Sequence, residues 1–214
     1  MDYETVSGRK RLPYATAVLT ALNVMYFFYL LVSGAVGSSE DMINKGALFI
    51  YDGVYMGGIH QLFTAMFMHF DIYHLGSNML VLVILGDLLE VRLGSIRFVI
   101  AYLATGAAGN LATIVMYGFW GWTAVSAGAS GAVFGLVGVL ACLVFRNRGS
   151  VPGYSRNRIL VMLFLLFYSG FRNAQVNTVA HAAGFLTGIL FGFLFSRAWK
   201  SRQEHSEDRT FMGS

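Results

Sequence analysis

Apolar residues gather in six long runs along this chain, and the polar residues fall mostly in the connections between them. The runs are Ala15 to Val32, then about Tyr73 to Leu89, Ile96 to Phe119, Ser126 to Phe145, Ile159 to Phe171 and Val179 to Ala198. A hydrocarbon layer of ~30 Å takes ~20 residues of helix to cross, so each run is read as a membrane span. The fifth is the shortest and Arg172 closes it, which fits a thin or tilted helix whose arginine reaches the headgroups. Between the first two runs, Ser33 to Phe70 holds only the patches Ala47 to Ile50 and Leu62 to Met68, broken by Gly53, Gly57 and Gly58. Neither patch can span, so this connection is expected to be an ordered loop with short interfacial helices. A signal peptide is the rival reading of the first run, with Ala35-Val36-Gly37 as its cleavage site. The run is longer than the ~7–15 residues of a signal h-region, and it is kept as a span. The pattern predicts an all-α membrane protein: a six-transmembrane-helix bundle over residues 14–199, a cytoplasmic leader at 1–13 and a solvated polar tail at 200–214.

Composition removes the alternatives. Of the 214 residues, 56% are hydrophobic and 12% charged, with a mean hydropathy of +0.61, whereas roughly a quarter of a soluble domain is charged. The lone Cys142 offers no disulfide and no cysteine-based metal site. The formal charge of +4 has a topological explanation. With six spans, the basic residues near 9–11, 92–97, 146–158 and 197–209 all fall on one side, and only Lys45 and Arg172 fall on the other. By the positive-inside rule the termini are cytoplasmic in a multi-pass protein of the cell membrane, and no nucleic-acid partner is implied. Trp120 and Trp122 then fall in an outer loop, where an aromatic belt is expected.

The unusual polar residues cluster at the outer ends of spans two, four and six. Ser130 lies 16 positions before Arg146, and His181 lies 16 before Arg197, so each stands about 24 Å above the inner boundary at 1.5 Å per residue. His74 and Asn78, placed 18 and 14 positions before Arg92, bracket the same plane at about 27 and 21 Å. Polar groups at that depth are costly in lipid and should face the bundle interior or a wet cavity. Interhelical hydrogen bonding is the bland explanation for one such residue; four at a single level point to a site. Gly131, Gly135 and Gly138 thin one face of the fourth span, and Gly184, Gly188 and Gly192 recur along the sixth, in the small-residue manner that lets helices approach closely.

A serine beside a histidine is the pair that nucleophilic catalysis needs. The hydroxyl is a weak nucleophile until a base takes its proton, and the same imidazole then protonates the leaving group. Asp87 and Glu90 belong to the inner end of span two, so no carboxylate completes a triad and a dyad is indicated. His74 and Asn78 share a helix face at i,i+4. Directed at Ser130, they would donate to a tetrahedral oxyanion together with backbone N–H groups at the start of span four. His60, His69 and His74 lack metal-ligand spacing, and neither a metal nor a cofactor is expected.

With Gly128-Ala129-Ser130-Gly131, Ala180-His181 followed by Gly184 and Gly188, and the run His69-Phe70-Asp71-Ile72-Tyr73-His74-Leu75-Gly76-Ser77-Asn78, the sequence resembles the rhomboid family of intramembrane serine proteases in its minimal six-span form. The resemblance runs from about Gly46 to Phe195. It implies that Ser130 is the nucleophile and His181 the general base, with His74, Asn78 and the Ser130 N–H in the oxyanion hole and His69 supporting the first outer loop. It also implies sideways access for substrate near spans two and five. Two positions depart from the family pattern. His60-Gln61 stands where Trp-Arg is frequent, and Phe134 stands where many members carry tyrosine one turn after the serine; its ring can still pack on His181.

The expected function is cleavage of single-span membrane proteins near the outer face of the bilayer. The alternative is a catalytically silent rhomboid-like scaffold that binds membrane clients, and the retention of both Ser130 and His181 argues against it.

Overall fold

The computed structural model describes residues 13–146, 150–151, 154–157, 159–161 and 176–212. The leader at 1–12 and most of the fifth apolar run, from residue 162 on, lie outside the described residues. In chain order the elements are α1 (Tyr14–Val32), α2 (Ser39–Asn44), β1 (Leu48–Tyr51), β2 (Val54–Tyr55), α3 (Gln61–Thr64), a 3-10 turn (Ala65–Phe67), α4 (Ile72–Leu93), α5 (Ser95–Trp120), β3 (Ala124–Ser126), α6 (Ser130–Arg146), β4 (Ser150–Val151), β5 (Tyr154–Ser155) and α7 (Thr178–Met212). Among the described residues, α1, α4, α5 and the Thr178–Ser196 part of α7 are long and apolar enough to cross a membrane, and α6 is a shorter apolar helix. The molecule is a multi-pass helical membrane protein. Its last helix continues through the polar tail as far as Met212.

The 17-residue α6 is the centre of the bundle. Every residue from Gly131 to Ala141 is buried, which accounts for a helix that is apolar all round. α5 and α7 pack along it most extensively, and α7 does so backbone to backbone. A methyl group added at Gly184 would overlap the Gly131 carbonyl, and one at Gly188 would overlap the Gly135 carbonyl. These two glycines set the distance between the helices, because a side chain at either would force them apart.

One end of the bundle carries Arg92, Arg97 and Arg146. There the buried Glu90 carboxylate closes α4 onto the start of α1, accepting from Ala15 N at 2.9 Å, Thr16 N at 2.7 Å and Thr16 Oγ1 at 2.7 Å. Ser95 Oγ, at the start of α5, adds a fourth bond at 2.6 Å. The carboxylate thus meets the donor-rich N-termini of two helices, where negative charge is favoured.

The opposite end carries the long connection after α1. Besides the expected short helices it holds strands, giving an antiparallel sheet of order β2-β1-β3 with Leu48 opposite Ser126 and Ile50 opposite Tyr55. The expectation of a fourth span from Ser126 is corrected accordingly: Ala124–Ser126 is extended and paired with β1, and the helix starts at Ser130. The connection is seated by Thr64 Oγ1 donating to Gly46 O at 2.8 Å and Asn110 Nδ2 to Leu62 O at 2.8 Å. At the unusual His60-Gln61 pair, His60 is exposed, while the buried Gln61 accepts from Tyr55 OH at 3.0 Å.

Candidate active site

α4, α6 and α7 all begin at the loop end, and each carries one of the expected site residues in its first turn. His74 is the third residue of α4, Ser130 the first of α6 and His181 the fourth of α7. The first N–H groups of each helix have no partner within the helix, and each N-terminus carries partial positive charge. Three such ends around one spot favour negative charge on whatever reacts there.

His74 is held by its own N-cap. Asp71 accepts from His74 N at 2.8 Å and opens α4 at the right register. The His74 ring then lies against Gly128, whose φ of +143° suits glycine. A Cβ at Gly128 would lie 2.8 Å from His74 Cε1, 3.0 Å from Nε2 and 3.6 Å from Ser130 Oγ. Glycine here keeps open the space that the histidine ring and the serine hydroxyl share. Gly128 N donates to Ala65 O at 2.9 Å, which anchors that turn to the outer loop.

Asn78 is buried one turn further along α4, with Nδ2 donating to His74 O at 2.9 Å. Its second amide hydrogen is left for another acceptor. His69 is fully buried, and its ring meets that of His74 edge-on, with centroids 5.0 Å apart and planes at 72°. Burial, reinforced by the neighbouring His74, pushes the His69 imidazole down to about 3.

His181 is buried against α6, where the Phe134 ring stacks on it with centroids 4.0 Å apart and planes at 10°. Phe134 is one turn after Ser130 on the same helix, so the imidazole is held on the serine's side of α6. Among the described residues, no hydrogen bond joins Ser130 Oγ to the His181 ring. Catalytic hydrogen bonds are often long in a resting site and close when substrate arrives.

Sequence reasoning missed Asn177, which lies just before α7. Its Oδ1 accepts from Ala180 N at 3.0 Å, and its Nδ2 donates to Thr113 Oγ1 and Ser126 Oγ at 2.9 Å each. An asparagine immediately ahead of an apolar run is the N-cap signal that would have singled it out. Asp71 and Gly128 enter the sequence reading only as members of the quoted motifs, with no individual role.

Comparison with known proteins gives a consistent picture. Residues 56–198 match the family model described as Rhomboid domain. The chain is 31% identical over 177 residues to rhomboid protease GluP of Bacillus subtilis, an alignment covering 83% of this chain and 34% of that protein. It is 32% identical over 183 residues to YdcA of the same bacterium, covering 85% of this chain and 88% of YdcA. With RHOMBOID-like protein 1 of Arabidopsis thaliana the identity is 31% over 163 residues, covering 74% of this chain and 40% of that protein. The chain thus spans about a third of GluP, two fifths of the Arabidopsis protein and most of YdcA.

Proposed function

The chain belongs to the rhomboid family, and on that premise we propose that it is an intramembrane serine endopeptidase working through a Ser130–His181 dyad. The observation that carries the proposal is the convergence of His74, Ser130 and His181 in the first turns of three helices, with His74 and Ser130 sharing the open space at Gly128.

Those positions support the following course for the reaction. His181 takes the proton of Ser130 as Oγ attacks the carbonyl carbon of the scissile peptide bond. The carbonyl oxygen becomes an oxyanion, held by His74, the free amide hydrogen of Asn78 and the N–H of Ser130, where the N-terminal ends of the helices favour negative charge. When the intermediate collapses, the C–N bond breaks and His181 delivers its proton to the departing amine. Water, deprotonated by the same imidazole, then hydrolyses the Ser130 ester and returns the hydroxyl.

The substrates are single-span membrane proteins. A helical peptide bond is shielded by its own backbone, so the cleaved segment must unwind, which favours small or helix-weakening residues. The positive-inside rule supports a cytoplasmic arginine-rich end, with the termini on that side and the site near the outer surface.

Reconstitution in liposomes with a fluorescent reporter carrying one transmembrane segment tests the proposal. The protein should cleave it within the membrane-spanning segment, and Ser130→Ala and His181→Ala should each abolish cleavage. Stable binding of the reporter without cleavage would point to a client-binding scaffold.

A further inference from the structure

We infer that Asn177 is a positioning residue that sets the separation of Ser130 and His181, an inference that rests on the assignment of that pair above. Asn177 stands four residues before His181, and its backbone oxygen accepts from His181 N at 3.2 Å. Its side-chain Oδ1 accepts from Ala180 N at 3.0 Å and so starts α7 at a fixed point. The amide nitrogen reaches the other way. One hydrogen goes to Ser126 Oγ at 2.9 Å, and Ser126 stands four residues before Ser130. The other goes to Thr113 Oγ1 on α5, also at 2.9 Å.

A single side chain therefore ties together the two backbone segments that lead into the catalytic residues. Both acceptors of the Asn177 amide are themselves held in place. Ser126 is paired with Leu48 in the loop sheet, and Thr113 Oγ1 donates to Gly109 O at 2.9 Å on the α5 wall. The glycine contacts between α6 and α7 set how closely the helices pack lower in the bundle. The Asn177 amide adds a polar tie between the two lead-in segments at the level of the site itself. Misplacement of reacting groups by ~1 Å can cost ~100-fold in rate.

Three variants separate this role from helix capping. Asn177→Ala removes cap and link, Asn177→Ser keeps a cap acceptor without the two amide donors, and Ser126→Ala removes one acceptor. In steady-state cleavage of the reporter, kcat should fall about 10- to 100-fold in both Asn177 variants, with KM within about twofold. Ser126→Ala should fall less, and Ser126→Ala combined with Asn177→Ala should be no worse than Asn177→Ala alone, because both break the same link. All rates are normalised to folded protein, and Asn177→Ser keeps the test valid if Asn177→Ala folds poorly. Recovery of the wild-type rate by Asn177→Ser would reduce the residue to a cap and overturn the inference, as would an Asn177→Ala kcat equal to wild type. His181→Ala is run alongside. If wild type cleaves, His181→Ala is inert and the Asn177 variants match wild type, this inference alone fails. If His181→Ala keeps full activity or wild type is inert, the dyad itself fails, and the inference with it.

Discussion

The Phe134 ring lies flat on the His181 imidazole, with 4.0 Å between centroids and 10° between planes. The stack fixes the ring plane of the proposed base from the helix that bears the proposed nucleophile. Aromatic pairs of this kind are worth about 0.5–1.5 kcal/mol beyond burial, which corresponds to roughly 2- to 12-fold in rate if felt in the transition state. Phe134→Ala should therefore lower kcat by up to about tenfold with little change in KM, while Phe134→Tyr keeps the ring and should stay close to wild type. Steady-state kinetics on the reporter substrate, corrected for folded fraction, checks both.

Gly188 meets the Gly135 carbonyl with no room for a methyl group, whereas a methyl at Gly76 would have nothing within 4 Å. Gly188→Ala should cost about 1–3 kcal/mol through forced separation of α6 and α7 and should impair cleavage. Gly76→Ala, on an exposed position of α4, should be neutral or stabilising by up to about 1 kcal/mol, the ordinary gain of alanine over glycine in a helix. Denaturation midpoints in one detergent compare the two directly.

Glu90 accepts four hydrogen bonds, from Ala15, Thr16 and Ser95. Hydrogen bonds to a charged group contribute about 1.5–3 kcal/mol each, so Glu90→Gln, which swaps one acceptor for a donor facing donors, should cost at least about 2 kcal/mol. The residue lies about 24 Å along α4 from His74. At low temperature kcat should therefore stay within about twofold of wild type while the thermal midpoint drops, which marks the effect as structural.

His69 also makes a pH prediction. Its folded pKa of about 3 lies below the ~6.5 of an unperturbed histidine, so between these values the unfolded chain binds more protons than the folded one. Stability should fall as pH drops from about 6.5 toward 3, by at most about 1.4 kcal/mol per pH unit from this residue, and should flatten below 3. His69→Phe should remove that part of the slope. Denaturation measured at intervals between pH 3 and 7 for both proteins decides it.

Among the described residues, the starts of α1, α4, α5 and α7 were legible in the sequence because each is specified locally. The run read as starting at Tyr73 begins at Ile72, and the one read as starting at Ile96 begins at Ser95, since hydropathy and flanking polar residues act within a few positions. Ser130, His74 and His181 each lie in the first turn of a helix, at the helix ends where the sequence reading puts them. Several of the missed features depend on distant partners. Ser126 was assigned to a span because its neighbours are apolar; its strand exists only because Leu48 lies opposite. Glu90 reads from the sequence as a charge at the inner end of span two, and its partner Thr16 is 74 residues away; Asn177 shows its reach only once Thr113 and Ser126 are in place. Strands of two to four residues are too short to leave a period in the sequence.

The central claim is that Ser130 is a nucleophile activated by His181, and labelling with a fluorophosphonate followed by peptide mapping tests it most directly. The reagent should form one adduct, on Ser130; Ser130→Ala should give none, and His181→Ala should slow labelling at least about 100-fold, the lower range of general-base catalysis. An adduct on another residue, no adduct on folded wild-type protein, or labelling unchanged in His181→Ala would contradict the account.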